Sequence, residues 1–150
     1  MLVYPALLAS NRRDKVLIVG GGDGLAMRDV LKWPLKAVTL IDLDGQLLNL
    51  FGHKSDEFNA PVEIVNRLAK LNANAMDDPR ANVIVGDAFI EVERLLDQGK
   101  RFDTIIIDLP DPNHPDLNKM YSDYFYNHIH LDQNTLHQIV ALPSPYGDQL

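Results

Sequence analysis

Short apolar runs recur along the chain, and most of them end at glycine or aspartate. Lys15-Val-Leu-Ile-Val-Gly20 shows no polar alternation, the pattern of a strand covered on both faces. Ala37-Val-Thr-Leu-Ile-Asp42 repeats it; Asn82-Val-Ile-Val-Gly-Asp87 and Phe102-Asp-Thr-Ile-Ile-Ile-Asp108 read as a third and fourth strand, and His137-Gln-Ile-Val-Ala-Leu142 as a weak fifth. Between the runs the spacing becomes helical. Leu25, Ala26, Val30, Leu31 and Trp33 predict a helix from Leu25 to Trp33, stopped by Pro34. Further helices are expected from about Gln46, over Pro61 to Leu71, over Ala88 to Leu96 and over Tyr121 to His130. Asn72 to Arg80 and Pro110 to Asn118 are rich in Asn, Asp and Pro and read as loops. The first ten residues read as a short helix or lead-in packed on the domain, without the basic start of a signal peptide.

Alternation of this kind predicts one α/β domain over residues 1–150, with 1–14 as lead-in and Pro143 to Leu150 as a tail. The sheet is expected to be doubly wound, Rossmann-like and mostly parallel, with helices on both faces. In the usual order the first and fourth strands are neighbours, and ligands bind beyond the carboxyl ends of the strands. Four such ends carry an acid: Asp23 just past the first, then Asp42, Asp87 and Asp108. Helix capping accounts for any one of them. It accounts less well for all four on one rim.

Composition narrows the chemistry. The chain has 150 residues, 46% apolar and 23% charged, which excludes disordered and low-complexity classes. It has no cysteine, so thiolate metal sites, disulfides and a Cys nucleophile are excluded. The net charge of -7 comes from 21 acids, 17 Asp and 4 Glu, against 14 bases. That balance argues against a nucleic-acid partner and tolerates a cationic one. No apolar run is long enough to span a bilayer.

The glycine loop, Gly20-Gly-Gly-Asp-Gly24, lets backbone approach a ligand closely, through Gly20, Gly22 and Gly24. No Gly-Lys-Ser/Thr follows, so it is not a P-loop. Asp42, about twenty residues past the glycines, stands where an acid accepts hydrogen bonds from ribose hydroxyls. Asp23 would repel a pyrophosphate, so a nucleoside with a positive group fits better. Asp87, with Ala88 beside it, can accept from an adenine amino group or simply cap the next helix. Asp108-Leu-Pro-Asp-Pro112 would face the glycine loop and gather Asp23, Asp108 and Asp111 without a lysine or arginine in either loop. Clustered carboxylates raise one another's pKa until a cation joins them. The alternative is a Pro-rich turn held by Asx-type bonds. His128 and His130 lie on different helix faces, His114 reads as solvated, and Trp33 and Phe51 read as core. No metal motif appears.

Val16-Leu-Ile-Val-Gly-Gly-Gly-Asp-Gly24, Leu40-Ile-Asp-Leu-Asp44, Asp77-Asp-Pro-Arg80, Gly86-Asp87, Asp108-Leu-Pro-Asp-Pro112 and the later Tyr121 and Phe125-Tyr126 resemble spermidine synthases, the polyamine aminopropyltransferases. The resemblance runs from Lys15 to about Tyr126, and the tail at residues 133–150 matches it only weakly. Asp108-Leu-Pro-Asp-Pro-Asn and Leu71-Asn72 look most like the branch attached to a membrane-spanning region. The resemblance implies a methyltransferase-type sheet. It also implies transfer of an aminopropyl group from decarboxylated S-adenosylmethionine, a co-substrate rather than a tightly bound cofactor, to putrescine or a related amine. It implies, further, release of methylthioadenosine without a metal, and a cytoplasmic setting or the cytoplasmic face of a membrane.

By that resemblance Asp23 would hold the aminopropyl ammonium, and Asp42 the ribose hydroxyls, where the family usually has Glu. Asp87 would take the adenine amino group. Asp108 would orient and deprotonate the attacking amine, with Asp111, Tyr121 and Tyr126 binding the diamine. The family's N-terminal β-hairpin domain and the two strands after its fifth have no counterpart here. By that resemblance the chain reads as a fragment of a catalytic domain, truncated in its sheet, and is expected to bind the nucleoside weakly and to catalyse little or nothing alone. Its open edge could pair with another chain as a homodimer. Two other readings share the fold. A methyltransferase generally carries an acid at the place of Ile18, and Asp23 is awkward for its donor. A non-catalytic domain binding a nucleoside or polyamine would need the acids but not turnover.

Overall fold

The computed structural model describes residues 3–52 and 61–109, and the backbone of 138–141. In chain order the elements are α1 (Val3–Ala9), β1 (Lys15–Gly20), α2 (Leu25–Val30), β2 (Ala37–Asp42), α3 (Gly45–Phe51) and α4 (Val62–Leu71). They continue as a 3-10 turn (Ala75–Asp77), β3 (Ala81–Val85), α5 (Ala88–Asp97), β4 (Thr104–Asp108) and β5 (Gln138–Ala141). The strands form one sheet in the order β3-β2-β1-β4-β5. Every pairing is parallel. This is the doubly wound arrangement expected, with β1 and β4 side by side.

The unbroken apolar runs have a simple cause. Val16 and Ile18 of β1 pack on one face with α1, α2 and Leu48 of α3, while Leu17 and Val19 pack on the other with Val92 and Leu95 of α5. All four β1 side chains are fully buried. Each contributes about 1.5–3 kcal/mol of transfer free energy. A strand covered on both sides has no position left for alternation. The lead-in is a helix with Val3, Ala6 and Leu7 in the core. Arg13 pins it, donating from Nη1 to the Leu7 carbonyl at 2.6 Å and lying 5.2 Å over the Trp33 ring.

Two boundaries differ from expectation. The second helix stops at Val30 instead of Trp33. A turn closes there, Trp33 N–H to Val30 O, ahead of Pro34, because the residue before proline avoids the helical region. The 72–80 stretch is not a plain loop. It contains the 3-10 turn, and Arg80 crosses from it to donate to the Leu31 carbonyl at the end of α2. Trp33 and Phe51 are only half-buried. No helix among the described residues is long and apolar enough to cross a membrane. The expected helix over Tyr121 to His130, the loop over Pro110 to Asn118, and Asp111, His114, Tyr121, Tyr126, His128 and His130 lie outside the described residues.

Candidate active site

Register builds the site. Gly20 pairs with Asp108, and Asp42 pairs with Val85. The ends of β1, β2 and β4 therefore finish level, and the glycine loop leaves β1 between the two acids. The loop closes on itself through a hydrogen bond from Gly24 N–H to Gly21 O at 2.9 Å.

Three of the four rim acids have work to do for the backbone. Asp23 Oδ1 accepts from Leu25 N–H at 2.9 Å. Asp42 Oδ2 accepts from Gly22 N–H, and its Oδ1 from Asp44 N–H, each at 2.8 Å. Asp87 is the N-cap of α5, accepting from Phe89 N–H at 2.8 Å. Only Asp87 is a helix cap: the N-cap of α2 is Gly24 and that of α3 is Asp44, so capping explains one of the four acids. Asp42 also ties the end of β2 to the glycine loop, a bond that the sequence did not announce.

Asp108 is different. Its carboxylate is half-buried and takes no hydrogen bond from any described residue. Burial raises its pKa above the usual carboxylate value, and the charges of Asp23 and Asp42 push it further the same way. Asp42 is raised chiefly by burial, against its two backbone hydrogen bonds, with Asp44 and Asp23 adding repulsion. Asp29 supplies the contrast. It too is buried, yet hydrogen bonds and charge from Arg28 and Lys32 bring its carboxyl below the usual value. Asp29 is a paired structural acid, whereas Asp108 finds no such compensation among the described residues. Among the described residues no lysine or arginine forms an ion pair with Asp23, Asp42, Asp87 or Asp108. Nor do the described residues contain a cluster able to hold a metal ion.

Apolar surface lies beside the acids. Leu43 follows Asp42, and Val85 and Ile90 flank Asp87; all three are well exposed. A planar base could cover such surface while its edge reaches a carboxylate. A separate cleft of about 420 Å³ lies between α2 and the 72–80 segment, lined by Arg28, Lys32, Asn74, Asp78 and Arg80 among others. None of the rim acids lines it. Its cations are held by Asp29 and Asp78, and the Arg80 guanidinium holds the Asp78 carboxyl down to about 2.

Sequence reasoning missed one residue of this region. Asn72 is fully buried, and its side-chain amide donates to the Asp23 carbonyl at 3.0 Å and the Phe51 carbonyl at 3.2 Å. An asparagine at a helix end reads as an ordinary loop residue. Only its complete burial distinguishes it.

Comparison with known proteins agrees with this geometry. Residues 1–138 match the spermine/spermidine synthase domain. The chain is 50% identical over 149 residues to a polyamine aminopropyltransferase of Shewanella oneidensis, covering 99% of this chain and 26% of that protein. It is 40% identical over 126 residues to one of Corynebacterium efficiens, covering 83% of this chain and 21% of that protein. The chain thus spans about a quarter of the length of these relatives. Among solved structures it resembles a spermidine synthase in complex with the transition state analogue AdoDATO, at 28% identity and a TM-score of 0.67, over 87% of this chain and 39% of the other. Spermidine synthase from Thermotoga maritima gives 28% identity and a TM-score of 0.64, over 87% and 38%. By sequence and by fold, the chain belongs to the spermine/spermidine synthase domain family.

Proposed function

We propose that the protein is an aminopropyltransferase, moving the aminopropyl group of decarboxylated S-adenosylmethionine onto putrescine or a related amine. The observation that carries this reading is Asp108: a half-buried carboxylate on the sheet rim, beside the glycine loop, with no described donor or cation to compensate it. A rim of acids without counterions suits a ligand and an acceptor that are both positively charged.

The roles follow from position. The donor's nucleoside lies over the apolar surface between Leu43 and Ile90, its adenine amino group toward Asp87 and its ribose toward Asp42. A carboxylate has about four lone-pair sites, so Asp42 can serve two backbone amides and still accept from hydroxyls. Asp23 takes the aminopropyl ammonium, and it would repel the carboxylate of intact S-adenosylmethionine. Asp108 binds the acceptor as an ammonium ion. An amine of pKa near 10 must shed a proton before it attacks, and a raised carboxyl is a better base than an ordinary one. The amine nitrogen then bonds to the aminopropyl carbon as the carbon–sulfur bond breaks. The electron pair goes to the sulfonium, which leaves as the neutral thioether methylthioadenosine. Holding nitrogen, carbon and sulfur in line supplies much of the rate. Asp111, Tyr121 and Tyr126 are proposed to bind the diamine.

The test is release of methylthioadenosine by the full-length protein that carries this domain, with a panel of amines, together with titration of both donors. Release that requires putrescine or a related amine, with tighter binding of the decarboxylated donor, is expected. Preference for intact S-adenosylmethionine would assign the protein to methyl transfer instead. Full turnover in Asp108→Asn would remove Asp108 from its role, and donor binding without turnover on any amine would favour a non-catalytic domain.

A further inference from the structure

We propose that Asn72 is a positioning residue: by holding the Asp23 backbone it sets the aim of the Asp23 carboxylate, and with it the preference for a donor with a cationic tail. This rests on the donor-binding reading given above.

Asn72 lies outside the loops that carry the rim acids. It caps the C-terminus of α4, and none of its surface is exposed. A buried amide is costly unless all its groups are used, and here they are. One amide nitrogen serves the Asp23 and Phe51 carbonyls, and the side-chain oxygen accepts from Ala75 N–H at 3.3 Å. The approach leaves no room for a side chain at position 24. A Cβ on Gly24 would lie 2.7 Å from the Asn72 amide nitrogen, and Gly24 already has φ of +74°.

The arm is itself braced. Arg28 donates from Nη1 to the Leu71 carbonyl at 2.9 Å. Ala73 and Asn74 both adopt left-handed conformations at φ 56°, which turn the chain directly after Asn72. Two successive non-glycine residues there are strained, and such strain persists where surrounding structure fixes it. The result is that Asp23 is held at both ends. Its carbonyl accepts from Asn72 and its Oδ1 accepts from Leu25 N–H. Its Oδ2 takes no hydrogen bond from any described residue, so it remains for a ligand.

Asn72→Ser tests this while keeping a side-chain oxygen at the helix end. The shorter hydroxyl can still cap the 3-10 turn but no longer spans to Asp23. Calorimetric titration is read on three probes: decarboxylated S-adenosylmethionine, intact S-adenosylmethionine, and methylthioadenosine, which lacks the aminopropyl group. The expected result is a loss of about tenfold in preference for the decarboxylated over the intact donor, with methylthioadenosine affinity unchanged. In an Asp23→Asn background the same change should have no further effect on that preference. Retained preference in Asn72→Ser overturns the proposal. Equal losses on all three probes overturn it too, because they mean general damage to the pocket. A parent protein with no donor preference sinks the functional reading of Asp23 itself, a different failure. Should Asn72→Ser lose its cooperative melt, Gly24→Ala perturbs the same contact from the opposite side, and the same ratio decides.

Discussion

Asp108 stands over Gly21 so closely that a Cβ built on that glycine would lie 2.9 Å from the Asp108 Oδ2. Gly21 also has φ of +68°. The residue that brings the glycine loop against the acid must therefore lack a side chain for two separate reasons. Gly21→Ala is expected to cost about 1–2 kcal/mol from backbone strain alone. It should also displace Asp108, at a cost of about a hundredfold in turnover if the carboxylate must be placed to within an ångström. Denaturant unfolding and methylthioadenosine release measure the two effects separately. A variant with near-parent turnover would show that Asp108 has no fixed aim.

Asp108 should weaken the fold it belongs to. A carboxyl whose folded pKa lies above its unfolded value binds its proton more tightly in the folded protein. Its contribution is thus harmless at low pH and becomes destabilising as pH rises above the ordinary carboxylate value of 3.8. Asp108→Asn removes the charge and keeps the shape. It is expected to melt higher than the parent at neutral pH and level with it at pH below that value, while losing turnover. Added putrescine should raise the parent's melting temperature more than the variant's. Thermal melts across pH check this. A variant that melts lower at neutral pH would mean that Asp108 holds a structural partner.

The central strand and the rim beside it were legible in the sequence because every position of Val16 to Val19 is apolar, as burial on both faces requires, and the run can end only where the polar loop begins; β3, at the sheet's edge, has no fully buried residue and was legible only as a strand. Gly20-Gly-Gly-Asp-Gly24 and Asp108 were legible for the same reason, since each closes such a run. What local pattern could not supply was the use of each acid. Whether Asp87 caps a helix or faces a ligand depends on one backbone amide, and whether Asp42 is free depends on a loop twenty residues earlier. Asn72 was hidden because its partners, Asp23 and Phe51, lie 49 and 21 residues away. Long-range satisfaction of a buried amide leaves no periodic trace.

Asp87 serves the helix visibly and the ligand by proposal, and two substitutions separate these roles. Asp87→Ala removes the cap that Phe89 N–H uses and should cost about 1 kcal/mol. Asp87→Asn keeps a side-chain oxygen for the cap, so stability should change by only a few tenths of a kcal/mol. Its carbonyl is nevertheless a weaker acceptor than a carboxylate for an adenine amino group. Methylthioadenosine affinity should therefore fall in both variants, and stability in only one. If Asp87→Asn binds as the parent does, Asp87 is a cap and nothing more.

Asp42 should resist such separation, because the same carboxylate holds the loop and faces the ligand. Its Oδ2 is taken by Gly22 N–H and its Oδ1 by Asp44 N–H. Asp42→Asn turns a side-chain amide NH2, itself a donor, toward one of those N–H groups and leaves that backbone group unpaired, at a cost of about 1–3 kcal/mol. The loop that it releases carries Gly22, next to Asp23. Methylthioadenosine affinity is expected to fall together with stability, and by about tenfold for each 1.4 kcal/mol of binding lost. Asp42→Glu keeps the charge but carries it one methylene further, so it should restore ribose contact only if the glycine loop can retreat. Paired measurements of unfolding midpoint and methylthioadenosine titration decide this. An Asp42→Asn protein that binds normally despite a lowered midpoint would confine Asp42 to bracing the loop and move the ribose to another acceptor.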